Sequence, residues 1–323
     1  MLRVLEITFP VFALVFCGFF GQRWRILPER AVEGINAFVF FFALPAMLFR
    51  VVATQPLASF VDWRFAAAYV TGGLIVLLLT RAAALGGAPP GDDRQRSARR
   101  SQAAAFGLSA SHGNLGYMGI PLAIELGRQY LPTMILAIVC DIFVLITLSI
   151  ALLELNRRRS QGRQSAPRIA LVVVSGLARS PLVLSIGLGL AWSLAAPEMP
   201  ETMDNFTRIL GSAAGPCALF AIGASLGDRR IVIDHAVAAL ITFKLVVHPA
   251  LAAVLMLFVF SVDPASAAVG VLAASLPGAS NSFIIARRYG VDTREISAAT
   301  LAGTFIALAT VSLVIWAFGL RAA

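Results

Sequence analysis

The chain has 323 residues, of which 59% are hydrophobic and 13% are charged, and its mean hydropathy is +0.83. Soluble proteins carry about a quarter charged residues, so this composition excludes an ordinary soluble protein and predicts an all-α integral membrane protein. The net charge of +9 does not indicate nucleic-acid binding, because the arginines are distributed between apolar stretches. The three cysteines lie in apolar stretches without CxxC spacing. We therefore expect no disulfide framework, no metal site and no cofactor.

Stretches of about 20 mainly apolar residues predict ten membrane-spanning helices. In chain order these spans lie near residues 5–22, 31–52, 64–86, 101–126, 131–155, 169–196, 204–227, 235–260, 266–288 and 294–319. The sixth is open to subdivision, with a short interfacial helix over 167–179 before a span that begins at Pro181. The N-terminal apolar run lacks a small-residue cleavage site and is interpreted as a retained first span.

The arginines predict the orientation of these spans. Alternate connections hold 19 of the 25 arginines, and the opposite side keeps Arg3, Arg50, Arg64, Arg128, Arg208 and Arg321. Because cytoplasmic loops carry an excess of positive charge, the arginine-rich connections are expected in the cytoplasm and both termini in the periplasm. The polar segment 156–168 (NRRRSQGRQSAPR) is then a cytoplasmic linker. We expect a multi-pass protein of the bacterial inner membrane.

Two pairs of similar segments indicate an internal repeat. LPAMLF (44–49) in span 2 corresponds to GPCALF (215–220) in span 7, and span 4 corresponds to span 9. Residues 1–155 and 169–323 would form two repeats of five helices. An odd number of spans in each half inverts the second repeat in the membrane, so the predicted fold is a 5+5 inverted repeat.

Spans 4 and 9 are broken near their centres by helix-breaking and polar residues. In lipid a break survives where protein or a water-filled cavity surrounds it, and paired breaks in the two halves indicate a transporter binding site. If the broken helices cross, the N-terminal ends of their second halves favour an anion, and asparagine can donate to a carboxylate. Close helix packing is the alternative reading of these small residues. The candidate substrate-binding residues are Gly113, Asn114, Gly116, Pro277, Gly278, Ser280 and Asn281.

Three ionisable residues lie deep enough in the predicted spans to act in coupling. Asp141, some ten residues into span 5, is a candidate proton carrier or a neutral acid bonded to a neighbouring helix. Lys244 in span 8 is placed to neutralise the substrate, to pair with a carboxylate or to snorkel. His112 adjoins the span-4 break and is open to a titrating or a packing role.

The segment GNLGYMGIPL (113–122) resembles the GNxGxMGIPL element of the auxin efflux carrier family, which includes plant PIN proteins and bacterial permeases. Further similarities follow in order along the whole chain, at residues 44–46, 216–224, 244–249, 276–290 and 304. The resemblance implies a scaffold domain of helices 1, 2, 6 and 7 that often dimerises, and a transport domain of helices 3–5 and 8–10. It also implies an elevator-like motion of one domain against the other.

Two departures from the plant pattern make auxin an unsafe substrate assignment. Plant members carry proline before the span-4 asparagine, where this chain has Gly113, and their central loop is usually longer than 156–168. Bacterial relatives include proposed malonate and malate carriers. The expected function is therefore secondary transport of a small carboxylate, with the lipid bilayer as environment and protons as a coupling ion.

Other functions remain open at this point. A sodium-coupled symporter of the bile-acid type also crosses two broken helices, but sodium sites use several oxygen ligands and Asp141 is the one obviously deep carboxylate. An intramembrane enzyme would need a nucleophile with its base, and the sequence contains no HExxH or GxSxG. A non-transporting membrane sensor would show no substrate flux. We expect no enzymatic activity.

Overall fold

The computed structural model describes residues 2–28, 30–54, 62–86, 93–160, 174–175, 178–195, 198–227 and 232–320. Within these ranges the regular structure is helical, apart from one isolated two-residue bridge between the broken helices. Most of the predicted linker over 156–168 lies outside the described residues, as does most of the interfacial helix predicted over 167–179.

The helices of the first half follow the predicted spans. They are α1 (Leu2–Arg23), α2 (Ala31–Phe38), α3 (Leu44–Thr54), α4 (Trp63–Gly86), α5 (Asp93–Ser111), α6 (Ile120–Leu126), α7 (Leu131–Cys140) and α8 (Thr147–Ser160). Five- or six-residue π-helical segments join α2 to α3 (Val39–Ala43) and α7 to α8 (Asp141–Ile146), and another precedes α6 (Leu115–Gly119). Such wide turns within helices occur frequently at functional sites.

The second half also contains both long and broken helices. It contains α9 (Pro181–Ala195), α10 (Glu201–Ser212), α11 (Ala214–Gly227), α12 (His235–Thr242), α13 (His248–Val254), α14 (Pro264–Ser275), α15 (Ser280–Arg288) and α16 (Arg294–Ala317). π-Helical segments follow α12 (Phe243–Val247) and α13 (Leu255–Val259). The sixth span begins at Pro181, as predicted for its subdivided form.

Six helical segments among the described residues are long and apolar enough to cross a membrane: Ala31–Thr54, Trp63–Gly86, Arg128–Arg157, Glu201–Ser225, His235–Val259 and Arg294–Ala317. Shorter apolar helices at Phe12–Arg23, Leu115–Leu126, Pro181–Ala195 and Pro264–Ser275 lie at the positions of the other predicted spans. The prediction of a helical membrane protein is confirmed. The ten-helix 5+5 repeat stays a prediction.

One predicted boundary is wrong. We expected span 4 to begin near residue 101 and treated the arginines before it as part of a connection. Helix α5 instead begins at Asp93 and includes them. The physical reason is that arginine is among the better helix formers, so a charged segment outside the apolar stretch still continues the helix. Hydropathy locates the part of a helix that crosses lipid, but not the end that projects from it.

Glycines allow the closest helix pairs to pack backbone against backbone. On α1, Gly18 faces the carbonyl oxygen of Phe220 on α11, and in the same pair Gly223 faces the carbonyl oxygen of Val15. Helix α3 contacts α9 in the same way, because a Cβ on Gly189 would lie 2.9 Å from the Phe49 carbonyl oxygen. Small residues at such interfaces let membrane helices gain dispersion energy and weak hydrogen bonds. Helices α1, α3, α9 and α11 therefore form tight pairs.

Both broken helices end at a glycine with positive φ. Gly127 follows α6 with φ 140°, and Gly290 follows α15 with φ 70°. We expected these two glycines to close spans 4 and 9, and the structure confirms that position. A positive φ is costly for residues with a Cβ, so glycine ends the helix at little cost.

Candidate functional site

The two breaks lie against each other inside the protein. Gly113 and Gly278 form an isolated antiparallel bridge. Within it the Asn114 amide donates to the Pro277 carbonyl oxygen at 2.9 Å, and the Ala279 amide donates to the His112 carbonyl oxygen at 3.4 Å. Each break thus satisfies backbone groups that the other exposes, which is what a break at membrane depth requires. We call residues 112–114 and 276–279 the crossing.

The close approach at the crossing requires glycine on both sides. A Cβ on Gly113 would lie 2.9 Å from the Ala273 carbonyl oxygen and 3.4 Å from Lys244 Nζ. On Gly278 it would lie 3.1 Å from the Ser109 carbonyl oxygen. Neighbouring backbone would have to shift to accommodate either group. The two glycines therefore serve contact between backbones.

The second half of each broken helix begins at the crossing. The π-helical turn at Leu115 leads into α6, and α15 begins at Ser280. The first amides of a helix have no partner within it, so positive partial charge collects at these two ends. Such ends bind carboxylates and phosphates in many proteins.

Some of the predicted substrate-binding residues lie in the crossing, and the others lie next to it. Asn114 is 6% exposed, and its carboxamide does not cap the helix that follows. Asn281 is half-buried in the first turn of α15, and the side chain of Ser280 lies outside the described part of the structure. The break does not reach Gly116, which lies in the π-helical turn after it, and the role of Gly116 in substrate binding stays a prediction. The break is this short because the bridge to Pro277 ends at Asn114, after which helical bonding resumes.

Asp141 and His112 form a buried pair beside the crossing. His112 Nδ1 lies 2.7 Å from Asp141 Oδ2, and the Asp141 side chain is 1% exposed. The other polar atoms, His112 Nε2 and Asp141 Oδ1, are buried without a hydrogen-bond partner. The Tyr69 hydroxyl is buried and faces the carboxyl group of Asp141. Unpaired buried polar atoms are rare in folded proteins, so this cluster is a candidate functional feature.

Lys244 lies beside Gly113 of the crossing. Its Nζ donates to the Ala274 carbonyl oxygen at 2.8 Å and lies 3.0 Å from His248 Nδ1, and the residue is 3% exposed. The acceptor carbonyl lies at the C-terminal end of α14, where negative partial charge collects. The ammonium group therefore does not snorkel. It stabilises the end of a half-helix.

The free space at the crossing is small. A cavity of about 10 Å³ is lined by Ser109, Lys244, Pro277, Gly278 and Thr300 and by neighbouring residues of α12 and α16. That volume holds about one water molecule. On the other face, a Cβ on Gly116 would lie 3.7 Å from the Leu44 side chain. The crossing is closed in this arrangement.

Sequence reasoning missed several partners of the predicted residues. His248, Tyr69 and the Ala274 carbonyl group were not selected, although each contacts or faces one of the ionisable candidates. His248 follows Lys244 by four residues on one helix, a spacing that could have identified it. The other two come from different helices, and no local sequence signal marks them.

A comparison with models of protein families identifies the family of this chain. The model described as "Membrane transport protein" matches residues 3–316. The chain belongs to the membrane transport protein family. The resemblance to auxin efflux carriers drawn from the residues of span 4 is thereby confirmed. This family comprises membrane transporters rather than enzymes, so this member is a multi-pass membrane transporter with a small-molecule substrate.

Curated relatives of this family member include proteins from bacteria and plants. A Rhizobium meliloti (strain 1021) protein, named as a candidate malonate transporter, is 29% identical over 97% of this chain and 95% of its own length. The uncharacterized transporter YfdV of Escherichia coli (strain K12) is 25% identical over 88% of each chain. Auxin efflux carrier component 5 of Arabidopsis thaliana is 23% identical over 95% of this chain and 94% of its own.

Proposed function

We propose that this transporter moves a small organic anion, a carboxylate such as malonate or malate, and binds it at the crossing. The observation that carries the proposal is the bridge between Gly113 and Gly278, which brings two half-helix N-terminal ends and Asn114 to one place. Their positive partial charge favours a carboxylate without a full buried charge. The name of the Rhizobium meliloti relative is consistent with this substrate class.

The buried charges around the crossing are compatible with an anionic substrate. Lys244 and Asp141 carry opposite charges when both are ionised, so with neutral histidines this interior has no net charge. Malonate and malate are dianions near neutral pH and would add two negative charges, of which uptake of a proton by the His112–Asp141 pair would balance one. We therefore propose protons as the coupling ion. A sodium-coupled mechanism is the alternative, and a sodium gradient distinguishes the two.

Transport would proceed by an elevator-like motion, in which one domain moves against the other between two arrangements. Helices 1, 2, 6 and 7 (α1, α2–α3, α9 and α10–α11) form the proposed scaffold, and the tight pairs α1–α11 and α3–α9 fall within it. Helices 3–5 and 8–10 form the proposed transport domain, within the 5+5 inverted repeat. The cavity of about 10 Å³ at the crossing is too small for malonate, so binding requires an opened arrangement. Scaffold surfaces would hold two copies together as a homodimer.

The proposed orientation places the linker in the cytoplasm and both termini in the periplasm. In support, Arg50, Arg128 and Arg208, all predicted outside, line one cleft. The predicted cytoplasmic ends also meet, since Gln102, at the start of predicted span 4, donates at 2.9 Å to the carbonyl oxygen of Asp292 in the connection between spans 9 and 10. Cysteines introduced singly into exposed loops and labelled from either side of the inner membrane would test this orientation.

The proposal is tested by flux into liposomes containing the purified protein. Malonate and malate are offered with and without a pH gradient and, separately, a sodium gradient. We expect uptake of at least one of these acids, and its loss in Asn114→Ala and in Asn281→Ala. The matched control is Asn205→Ala, on α10 away from the crossing. Folded protein that moves neither acid, or that moves one equally well without Asn114 and Asn281, would contradict the proposal.

A further inference from the structure

Lys244 is the single lysine of this chain, which carries 25 arginines. The two side chains are not equivalent cations. Arginine presents a planar guanidinium group with five donors, whereas lysine presents a compact point charge with three. The chain therefore uses a small cation beside the crossing and at no other position of its sequence.

The space around Lys244 Nζ is too small for a guanidinium group. The cavity beside it has a volume of about 10 Å³ and is lined by Ser109, Gly278 and Thr300 among others. On the other side, a Cβ added to Gly113 would lie 3.4 Å from Nζ. Room for about one water molecule does not accommodate the planar head group of arginine. The surroundings thus select a cation by its size.

The atoms around Nζ are acceptors for one positive charge. The Ala274 carbonyl oxygen lies 2.8 Å away and His248 Nδ1 lies 3.0 Å away. In the lining of the adjacent cavity, Thr300 Oγ1 is buried and has no hydrogen-bond partner among the described residues. These three groups are neutral acceptors, and the C-terminal end of α14 adds negative partial charge. The set suits a monovalent cation, whose charge also interacts with the buried Asp141 carboxylate.

We propose that this space is a monovalent-cation site that the protein fills with its own ammonium group, and that Lys244 thereby makes the folded crossing and transport independent of sodium. The ligand class is a primary ammonium ion, which combines a single charge, three donors and a small head group. Sodium-independent transport rests on the proposed function, whereas the cation requirement of the fold does not.

The test removes the Lys244 side chain and returns its head group as a free molecule. Lys244→Ala deletes a fragment that n-propylammonium matches atom for atom, and n-propanol has the same length without the charge. Thermal unfolding of the full-length protein is measured in detergent with each compound and without substrate. A ligand at about ten times its Kd multiplies the folding constant about tenfold, which raises the unfolding temperature by about 2–4 °C. We expect that rise for Lys244→Ala with n-propylammonium, and no rise with n-propanol, relative to the wild type.

Two further variants separate charge from volume and from size. Lys244→Met fills the space with an unbranched neutral side chain, so n-propylammonium should not stabilise it. Lys244→Arg keeps the charge but exceeds the space, so it should unfold below the wild-type temperature. An equal rise of Lys244→Ala with n-propanol would mean that the space needs volume rather than charge, and no rise with either compound would mean that it binds no cation. Either result would overturn the proposal, as would Lys244→Arg with wild-type stability.

If Lys244→Ala does not fold, the wild-type protein provides the test. Its unfolding temperature and its malonate flux are compared in sodium chloride and in choline chloride at equal ionic strength. We expect both quantities to be the same in the two salts. A higher unfolding temperature in sodium would mean that the fold still takes up an external cation, and would overturn the proposal. Flux that requires sodium at an unchanged unfolding temperature would contradict sodium-independent transport, whereas no flux in either salt would contradict the proposed function and not the cation site.

Discussion

Replacement of Gly113 by alanine tests whether the crossing needs direct contact between the two backbones. The added Cβ would lie 2.9 Å from the Ala273 carbonyl oxygen and 3.4 Å from Lys244 Nζ. Carbon atoms prefer contacts of about 3.5–4.0 Å, so the neighbouring backbone must move by about half an ångström. Overpacking of this kind costs about 1–3 kcal/mol. If the shift also breaks the Asn114–Pro277 hydrogen bond, about 1 kcal/mol more is lost.

Gly116→Ala is the matched control, three residues further along the chain. Its Cβ would lie 3.7 Å from the Leu44 side chain, an ordinary contact. Alanine at a helical position stabilises by about 0.5–1 kcal/mol relative to glycine, so this variant should be as stable as the parent or slightly more so.

The measurement is thermal unfolding of both variants in detergent, followed by tryptophan fluorescence, with flux measured in parallel. We expect Gly113→Ala to unfold at a lower temperature and to lose transport, while Gly116→Ala retains its stability. If Gly113→Ala unfolds at the wild-type temperature and transports at the wild-type rate, the glycine is not needed for backbone contact. The reasoning about the crossing would then be refuted.

Three further variants test neighbouring features. Lys244→Met removes the donor to the Ala274 carbonyl oxygen, and we expect a stability loss of about 1–3 kcal/mol in thermal unfolding; unchanged stability would mean that this bond contributes nothing. Asp141→Asn keeps a side chain of the same shape that carries no exchangeable acid proton, so uptake should persist without acceleration by a pH gradient; retained acceleration would exclude Asp141 as the proton carrier. Gly290→Ala should destabilise by about 1 kcal/mol and Gly290→Asn by less, because asparagine tolerates a φ of 70° better; equal unfolding temperatures for the two would contradict this cause.

Many of the helices could be predicted from composition and local chemistry. Apolar length predicts a helix in lipid because every backbone amide must bond within its own segment. The breaks were equally predictable, since Pro277 lacks an amide hydrogen and glycine weakens a helix at Gly113 and Gly278. The closing glycines at 127 and 290 follow from the same local rule.

The partners of the buried charges could not be predicted in this way. Whether Asp141 would bond a neighbouring helix was left open, and the structure pairs it with His112, 29 residues earlier. Lys244 was expected to meet a substrate, a carboxylate or water, but it bonds the Ala274 carbonyl oxygen, 30 residues later. A free backbone carbonyl at the end of a half-helix has no signature in the side-chain sequence.

The sequence by itself determined that this chain is a helical membrane protein with two broken helices, because length, hydropathy and helix breaking act within a few turns of the chain. The tertiary structure alone decided that the breaks meet at Gly113 and Gly278, and that arginines from separate elements share one cleft. Those contacts depend on the relative position of whole helices. Many side chains along each helix set that position together, and no single motif encodes it.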